Sequence, residues 1–417
     1  MISVNASYWI WLTMTLGYNN PKIKRIFELY NDVSKFYNGG ETEWRFCGFL
    51  TENEIQKMSK KHLDDTNAII NRCVELNYSI ICIDDEKYPD CLYNIEAPPA
   101  LIYVSGNLPD IDHRLTIGIV GTRRAENYGF SNSYKIGYAL AKYGVAIISG
   151  GALGVDCASH RGALATDGVT VCVLGCGINY PYLVQNEDMR QAITRRGAVV
   201  SEYPPDTPPK NYHFPARNRI ISAFSDGLLV IQAGIKSGSL ITAGIAGEQG
   251  KTVFALIGNN APENEGSNKL IKDGIAVPVT DFMDILVEFD NLYVTDDSVD
   301  FDNISLEDIK AVPVKGKLKS NKPNNKDKIK DNKNINTVTS VKKNKEKVHN
   351  NNIKNKIDLN LSDTAQQIYE YISCEPVHID RISSDLQIPV FKVLTAMTEL
   401  EMAGVVKALQ GRKYIRN

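Results

Sequence analysis

The sequence lacks the cysteine spacing, the long apolar run and the basic leader that mark several common classes of protein. Its eight cysteines contain no C-x-x-C pair, so we interpret them as reduced, buried thiols and not as metal ligands or a redox motif. Nowhere do about 18 apolar residues follow one another, so no segment is a candidate membrane span. No Lys or Arg precedes the apolar stretch within residues 1–17, and no clear cleavage site follows it. We therefore expect no secretory signal, no membrane partner and a cytoplasmic location.

Charge is almost balanced over the 417 residues, with a formal net charge of −2, but it is unevenly distributed. The segment Lys315–Lys356 contains 14 Lys and 11 Asn against three acidic residues, so it has a charge of +11 and the remainder of the chain −13. Such a composition cannot bury enough apolar surface to fold, and we predict a disordered Lys/Asn-rich linker over residues 291–360. Its lysines either only keep the linker soluble or also contact nucleic-acid phosphates without reading sequence.

The hydrophobic pattern divides the rest of the chain into three folded regions. Residues 1–95 show helical spacing, including one helix over Pro21–Phe36, and residues 88–106 are predicted to be an extended connector. Short apolar runs alternate with amphipathic stretches over residues 96–290, which predicts an α/β, doubly wound fold with a mainly parallel sheet. Residues 361–417 show three helices followed by two short strands, the pattern of a winged helix.

Three glycine-bearing loops each follow a predicted strand and open a predicted helix: Gly121–Arg124, Ser149–Gly154 and Ser237–Ser239. Free N–H groups at helix N-termini, approached closely where glycine removes the side chain, would bind a phosphate. Arg123 adds a guanidinium matched to phosphate, and the candidate hydroxyl donors are Thr122, Ser149, Ser237, Ser239 and Thr242. Glycines also serve tight turns with no ligand. The full G-x-G-x-x-G and G-x-x-x-x-G-K-[ST] motifs are missing, which weakens dinucleotide and ATP interpretations.

A second candidate element, Pro208–Arg219, combines the cations Lys210, Arg217 and Arg219 with aromatic residues before a predicted helix. Basic side chains that follow a phosphate backbone and an exposed ring that stacks on a base suit a single nucleic-acid strand. The alternative is structural: Phe214 belongs to the core, and Arg217 pairs with Glu202 or Asp226 to stabilise the fold.

Residues suited to catalysis are few. Asp156 and His160 are four positions apart on one predicted helix face, but no third ligand of matching spacing is evident. We interpret Asp156 as a residue of the helix start and His160 as a packed residue. We therefore expect no catalytic residues, no bound metal and no cofactor.

Several motifs, taken in order, resemble the DprA/Smf family. They are Ile119-Val120-Gly121-Thr122-Arg123, Ser149-Gly150 through Gly154-Val155-Asp156, Phe214-Pro215-Ala216-Arg217-Asn218-Arg219 and Ser237-Gly238-Ser239-Leu240-Ile241-Thr242. The resemblance covers about 80 to 285 as a Rossmann-like core. It also implies a helical, SAM-like or helix-hairpin-helix-like N-terminal domain and a C-terminal winged helix.

The resemblance implies a binding protein without catalytic turnover that binds and protects incoming single-stranded DNA and helps load the RecA recombinase in natural transformation. Members form homodimers through the Rossmann-like core. The DNA- or phosphate-binding residues that it implies, together with those of the glycine loops, are Gly121, Thr122, Arg123, Ser149, Gly150, Gly151, Lys210, Phe214, Arg217, Asn218, Arg219, Ser237, Gly238, Ser239 and Thr242.

This chain departs from the family pattern at three positions. Leu153 stands where members usually have Arg or Lys, and Gln232 and Gly244 replace a common Glu and Arg, so the groove has fewer cations. Two other functions stay open. One is a nucleotide-processing, phosphoribohydrolase-like enzyme on the same core, although the expected Pro-Gly-Gly-x-Gly-Thr-x-x-Glu motif is missing. The other is a transcription regulator acting through the winged helix.

Overall fold

The computed structural model describes residues 2–289, 362–373, 377–388, 390–403, 405–409 and 413–416. These residues form two compact units, one within 2–289 and one from 362 onward. The predicted linker, 291–360, lies outside the described residues. No helix in the described part of the chain is long and apolar enough to cross a membrane.

The N-terminal region is helical, as predicted. Its helices are α1 (Ala6–Leu16), α2 (Lys22–Tyr30), α3 (Val33–Phe46), α4 (Glu52–Ser59) and α5 (Asn67–Glu75), with a 3₁₀ turn at Leu63–Thr66. The single helix predicted over Pro21–Phe36 was wrong. Asn31 ends α2 in the left-handed conformation (φ 51°), and the carboxylate of Asp32 accepts from the N–H of Ser34 at 2.9 Å to begin α3. Both positions use residue types that stop or start helices, because Asn tolerates positive φ and Asp caps free N–H groups.

A nine-stranded sheet organises the first unit. The strands are β1 (Ser79–Cys82), β2 (Leu101–Gly106), β3 (Thr116–Val120), β4 (Ala146–Ser149), β5 (Thr170–Leu174), β6 (Ala198–Ser201), β7 (Gly227–Val230), β8 (Thr252–Leu256) and β9 (Val277–Val279). Their spatial order is β1-β2-β6-β5-β4-β3-β7-β8-β9. From β6 to β9 all neighbours are parallel, whereas β2 pairs antiparallel with both β1 and β6. The predicted doubly wound, mainly parallel α/β fold is confirmed.

Strand β2 was not predicted, because the prolines before it suggested a connector. Pro98 and Pro99 do precede it, but the next four residues are apolar and buried and continue the sheet. β1 also belongs to this sheet, although it lies N-terminal to the boundary expected at 95 and 96. The division of the chain into four segments stays a prediction.

Helices cover both faces of the sheet. They are α6 (Asp90–Tyr93), α7 (Asn127–Lys142), α8 (Val155–Leu164), α9 (Glu187–Arg196), α10 (His213–Ala223), α11 (Gly238–Glu248), α12 (Glu265–Lys272) and α13 (Met283–Leu286), with a 3₁₀ turn at Val184–Asn186. Neighbouring residues of β4 face opposite sides: Ile147 is buried with Leu140 of α7, and Ile148 with Ile220 of α10. This alternation explains why the central strands are apolar runs, since both faces must be covered. Of the described cysteines, Cys47 and Cys91 are half-buried, and the other five are buried thiols as expected.

The second unit is a small helical domain with a three-stranded sheet. It contains α14 (Asp363–Tyr371), β10 (Val377–His378), α15 (Ile379–Leu386), α16 (Val390–Met402), β11 (Val406–Leu409) and β12 (Lys413–Arg416), with sheet order β10-β12-β11. Ser362 caps α14, and Ile368, Ile382 and Leu400 are buried together. The predicted winged helix is confirmed. The two-residue strand β10 was too short to be recognised in the sequence.

Candidate functional site

The candidate site lies where the chain reverses its direction across the sheet. From β3 the chain proceeds through β4 and β5 to β6, and β7 then lies on the other side of β3, followed by β8 and β9. The connections that leave β3 and β7 therefore diverge and open a crevice at the carboxyl ends of these strands. Ligands of doubly wound folds bind at this position.

A pocket of about 490 Å³ occupies this crevice. Ten of the residues predicted from the sequence line it: Gly121, Thr122, Arg123, Phe214, Arg217, Asn218, Ser237, Gly238, Ser239 and Thr242. The structure thus brings together the first and third glycine loops and the start of α10, which are separated by many residues in the chain.

The first loop is fixed by the strands and loops beside it. The N–H of Thr122 donates to the carbonyl oxygen of Gln232 at 2.8 Å, and Thr122 in turn accepts from the N–H of Val155 at 3.2 Å. Gly154 has φ 79°, and a Cβ there would lie 2.3 Å from the Thr122 carbonyl oxygen, so only glycine permits this close approach. The exposed side chain of Arg123 is therefore held at the pocket by a rigid backbone, as a phosphate-binding residue requires.

The N-terminus of α11 forms another part of the pocket lining. Ser237 caps the helix by accepting from the N–H of Ser239 at 3.4 Å, and the two hydroxyl oxygens are 2.7 Å apart. Gly238 is exposed and Thr242 lies one turn further along the helix. A helix N-terminus with hydroxyl groups and no acidic residue in its first turn attracts anions.

Arg217 lines the pocket, but its guanidinium makes hydrogen bonds within the protein. Its side chain is buried, and Nη1 donates to the carbonyl oxygens of Gly150, at 2.9 Å, and Val173. Neither Glu202 nor Asp226, the partners considered from the sequence, pairs with it: Arg219 contacts Glu202, and Asp226 accepts from Thr116. Burial lowers the pKa of Arg217, and nearby Asp156 opposes that shift. The guanidinium already satisfies backbone carbonyls, and a contact of Arg217 with DNA stays a prediction.

Arg219 lies away from the pocket altogether. It forms a bidentate pair with Glu202, with Nη1–Oε2 at 3.0 Å and Nη2–Oε1 at 2.7 Å, and its Nε donates to the carbonyl oxygen of Ala97 at 2.9 Å. The side chains of Arg219 and Glu202 are only 8% and 2% exposed. Arg219 therefore joins α10 to the residue that follows β6 and to the segment before β2, and its predicted contact with DNA stays a prediction.

The other expected residues lie near the pocket without lining it in the described part of the chain. Ser149 is buried and donates its hydroxyl to the carbonyl oxygen of Ile119 at 2.6 Å, so it is not a free donor. The Gly150 carbonyl accepts from Arg217, and Gly151 (φ 65°) is buried beside Cys172. Ser149, Gly150 and Gly151 therefore support the second glycine loop without lining the pocket.

Lys210 is exposed, and its Nζ lies 5.7 Å from the ring centroid of Tyr212. It is thus the member of the Pro208–Arg219 cation set that reaches solvent. Phe214 is half-buried. Its ring lies under the Arg123 guanidinium, whose Cζ is 5.1 Å from the ring centroid, and beside Tyr182, with centroids 5.6 Å apart.

Asp156 and His160 do not form a metal or acid–base pair. Asp156 accepts from the N–H of Ala152 at 3.3 Å in the first turn of α8, and burial raises its pKa. His160 is fully buried with Nδ1 at 2.7 Å from Thr170 Oγ1, and burial, followed by the charge of Arg217, lowers its pKa to about 3. Among the described residues no group of three or more His, Cys, Asp or Glu side chains can hold a metal ion. The structural interpretation of both residues agrees with these contacts.

Several lining residues were missed from the sequence, notably Arg124, Asn211 and Ile241. Arg124 lies within the first glycine loop, Gly121–Arg124, and Asn211 within Pro208–Arg219. Their positions next to Arg123 and Lys210 were therefore the available signal. Ile241 lies within the Ser237–Thr242 motif, but an apolar residue in a helix is normally assigned to the core. Of the three departures, Gln232 is buried: its Oε1 accepts from the N–H of Glu126 at 3.1 Å, and its Nε2 has no hydrogen-bond partner among the described residues.

A Rossmann-like α/β core with a polar, cation-bearing switch-point pocket, together with a winged helix, defines the class of this protein. Residues 79–290 match the family described as DNA recombination-mediator protein A, and residues 356–412 match the DprA winged helix domain. The chain therefore belongs to the DprA/Smf family of DNA-processing recombination mediators.

Individual relatives agree with this membership. The chain is 29% identical to the protein Smf of Synechocystis sp. over 100% of both chains. It is 38% identical to the DNA processing protein DprA of Bacillus subtilis, over 54% of this chain and 74% of that one. The X-ray structure of DNA processing protein A from Streptococcus pneumoniae matches with a TM-score of 0.59 and 30% identity, covering 68% of this chain and 97% of the other.

Proposed function

We propose that this protein binds single-stranded DNA, with a backbone phosphate in the switch-point pocket. The principal observation is that the exposed guanidinium of Arg123 and the N-terminus of α11 line one pocket. An oxyanion there would receive a charge-assisted hydrogen bond from the arginine as well as N–H and hydroxyl donors from Ser237 to Thr242. Phosphate is the feature that every nucleotide of a strand shares, so this contact is independent of sequence.

Family membership supports the finer parts of the proposal. We propose that the protein protects incoming strands and helps load the RecA recombinase during natural transformation, in the cytoplasm, as a homodimer joined through the Rossmann-like core. These roles rest on the family and on no contact in this chain.

Fluorescence anisotropy of labelled single-stranded and duplex oligonucleotides, at one stated salt concentration, tests the DNA-binding proposal. We expect sequence-tolerant preference for single strands, weakened by Arg123→Ala. Arg195→Ala is the matched control, because Arg195 is also exposed but lies in the last turn of α9, next to the amino end of β6 and thus at the opposite edge of the sheet. Equal loss in both variants would indicate nonspecific charge attraction and contradict a phosphate site at Arg123.

Absence of single-strand binding would instead favour the nucleotide-processing alternative. A buried carboxylate, Asp156, does line the pocket, and hydrolysis of nucleoside monophosphates by the wild-type chain but not by Asp156→Asn would support that function. Preference for a specific duplex, lost on removal of residues 361–417, would support a transcription regulator.

A further inference from the structure

The switch-point pocket has an apolar wall as well as polar groups. Val120, Ala152 and Ile221 contribute to this wall but are buried, each with at most 8% of its surface exposed. Ile241 differs from them, because it lines the same pocket with 52% of its surface exposed. Single exposed isoleucines are common on protein surfaces, but one that lines a ligand pocket is part of the surface that the ligand meets.

The packing of α11 does not depend on Ile241. The helix contacts the core through Leu240, Ala243 and Ala246, of which the two alanines are fully buried. Ile241 belongs to no buried hydrophobic cluster in the part of the chain that the structure describes. Its apolar surface is therefore available to a ligand, and substitutions at this position should leave the fold intact.

Ile241 lies one helical turn from the proposed phosphate contact. Helix α11 begins at Gly238, and apart from chain neighbours and the backbone of the helix itself, nothing lies within 4 Å of the position that a Cβ would take there. Ile241 follows three residues later on the same face, and one turn rises by about 5.4 Å. Because the sugars of a strand are bonded directly to the phosphate oxygens, a phosphate at Gly238 brings a sugar next to the Ile241 side chain.

The hydroxyl groups beside Ile241 are occupied by the start of the helix or by the proposed phosphate. The hydroxyl oxygens of Ser237 and Ser239 are 2.7 Å apart, and the Thr242 hydroxyl donates to the Gly238 carbonyl oxygen at 3.5 Å. A sugar on this side of the pocket therefore meets the apolar surface of Ile241.

Deoxyribose and ribose would respond differently to such a surface. Deoxyribose has a methylene group at C2′, whereas ribose has a hydroxyl group there, and this hydroxyl allows proteins to distinguish RNA from DNA. Packed against an isoleucine, the 2′-hydroxyl loses a hydrogen bond to water and gains none, while the methylene group gains an apolar contact.

We infer that Ile241 makes the site selective for deoxyribose, so that the protein binds single-stranded DNA in preference to RNA of the same sequence. This inference rests on the proposed DNA-binding function and adds discrimination between sugars to it. Arg123 and the N-terminus of α11 contact phosphate, which both nucleic acids share, so these groups cannot make the distinction.

The test measures the anisotropy of three labelled strands with the full chain: oligodeoxyuridylate, oligouridylate and 2′-fluoro oligouridylate of equal length. The three strands have the same base and the same charge. We expect the wild type to bind oligodeoxyuridylate on the order of tenfold more tightly than oligouridylate, from the cost of one buried hydroxyl group without a partner. The 2′-fluoro strand keeps the sugar pucker of RNA but lacks the hydroxyl group, so it should bind like DNA. Binding as weak as that of oligouridylate would show that pucker is decisive and would overturn the inference.

Variants of Ile241 separate the apolar contact from the rest of the site. Ile241→Gln should remove most of the preference, chiefly by strengthening RNA binding, because an amide offers the 2′-hydroxyl both a donor and an acceptor. Ile241→Val is the matched control and should keep the preference, since it keeps a branched apolar side chain. Leu29→Gln makes the same kind of change in α2, at a residue that is 60% exposed and outside the pocket, and it should alter neither affinity.

Equal wild-type affinity for the DNA and RNA strands would overturn the inference without any variant. So would an Ile241→Gln chain that keeps the full preference. If Arg123→Ala still weakens DNA binding in either case, the phosphate site stands and only the assignment of sugar discrimination fails. A wild-type chain that binds none of the strands removes the proposed function as well.

Discussion

Replacing Arg219 by Ala should destabilise the fold and leave the DNA site intact. The substitution removes both hydrogen bonds to Glu202, at 2.7 and 3.0 Å, and leaves a carboxylate that is 2% exposed without its cation. The nearest remaining donor is the N–H of Asn19, 3.4 Å from Oε1. The carbonyl oxygen of Ala97 also loses its Nε donor. Breaking a buried pair from one side costs about 3–5 kcal/mol, a large share of the roughly 5–15 kcal/mol that holds a typical domain together.

Urea unfolding followed by tryptophan fluorescence measures this loss of stability in the folded unit that contains Arg219. The chain has three tryptophans, Trp9, Trp11 and Trp44, and all are buried in the N-terminal helices, so the signal reports the first unit and not the winged helix. The double variant Arg219→Met with Glu202→Leu is the matched control. It removes both charges together, and we expect it to be more stable than Arg219→Ala, because no unpaired buried charge is left.

DNA affinity of Arg219→Ala, corrected for the folded fraction, should equal that of the wild type. The reasoning would be refuted by the opposite pattern, an unfolding midpoint equal to wild type with weakened single-strand binding. That result would mean that Arg219 leaves Glu202 to contact DNA.

Three further predictions concern other parts of the chain. Arg217→Lys should cost about 1.5–3 kcal/mol in the same urea assay, because a lysine cannot reproduce the guanidinium contacts to Gly150 and Val173. The pKa of His160 is lowered from 6.5 to about 3 in the fold, so the unfolded chain takes up the proton first and stability falls as pH drops from about 6.5 towards 3. Between pH 7.5 and pH 5 this contributes about 2 kcal/mol, and His160→Gln should show that much less pH dependence of the unfolding free energy. Deleting residues 315–356 should leave core binding nearly unchanged if the linker only spans domains, and a large fall in anisotropy-measured affinity would show that its lysines contact DNA.

Most of the fold could be predicted from the sequence, because the parallel strands are buried on both faces and appear as apolar runs between amphipathic helices. The errors have local causes. Asn31 and Asp32 break what looks like one helix, and a break of two residues does not interrupt the hydrophobic spacing enough to be seen. β2 follows two prolines, which suggest an irregular connector, but its pairing is decided by the neighbouring strand β6 and not by local sequence.

The candidate site was predicted less completely, and the two arginines of α10 show why. Positions two apart on a helix differ by about 200° in direction, so Arg217 and Arg219 cannot line one groove. Arg217 contacts Gly150 in the second glycine loop, and Arg219 contacts Glu202, the residue after β6. Helical geometry alone could have separated them, but which arginine is buried depends on backbone carbonyls and a carboxylate that come from distant parts of the chain. The first and third glycine loops were easier to predict as parts of one site. They follow β3 and β7, and the loops after two adjacent parallel strands lie at the same edge of the sheet.

This division of the cations between fold and ligand determines how salt should affect binding. Arg217 and Arg219 bind internal partners, so the exposed cations in the pocket lining or next to it are Arg123, Arg124, Lys210 and Lys236 among the described residues. Four single-strand phosphate contacts imply a slope of about −2.8 in log affinity against log salt, so affinity should fall roughly fiftyfold between 50 and 200 mM salt. A much steeper measured slope would require additional lysines, and the sequence places those in Lys315–Lys356.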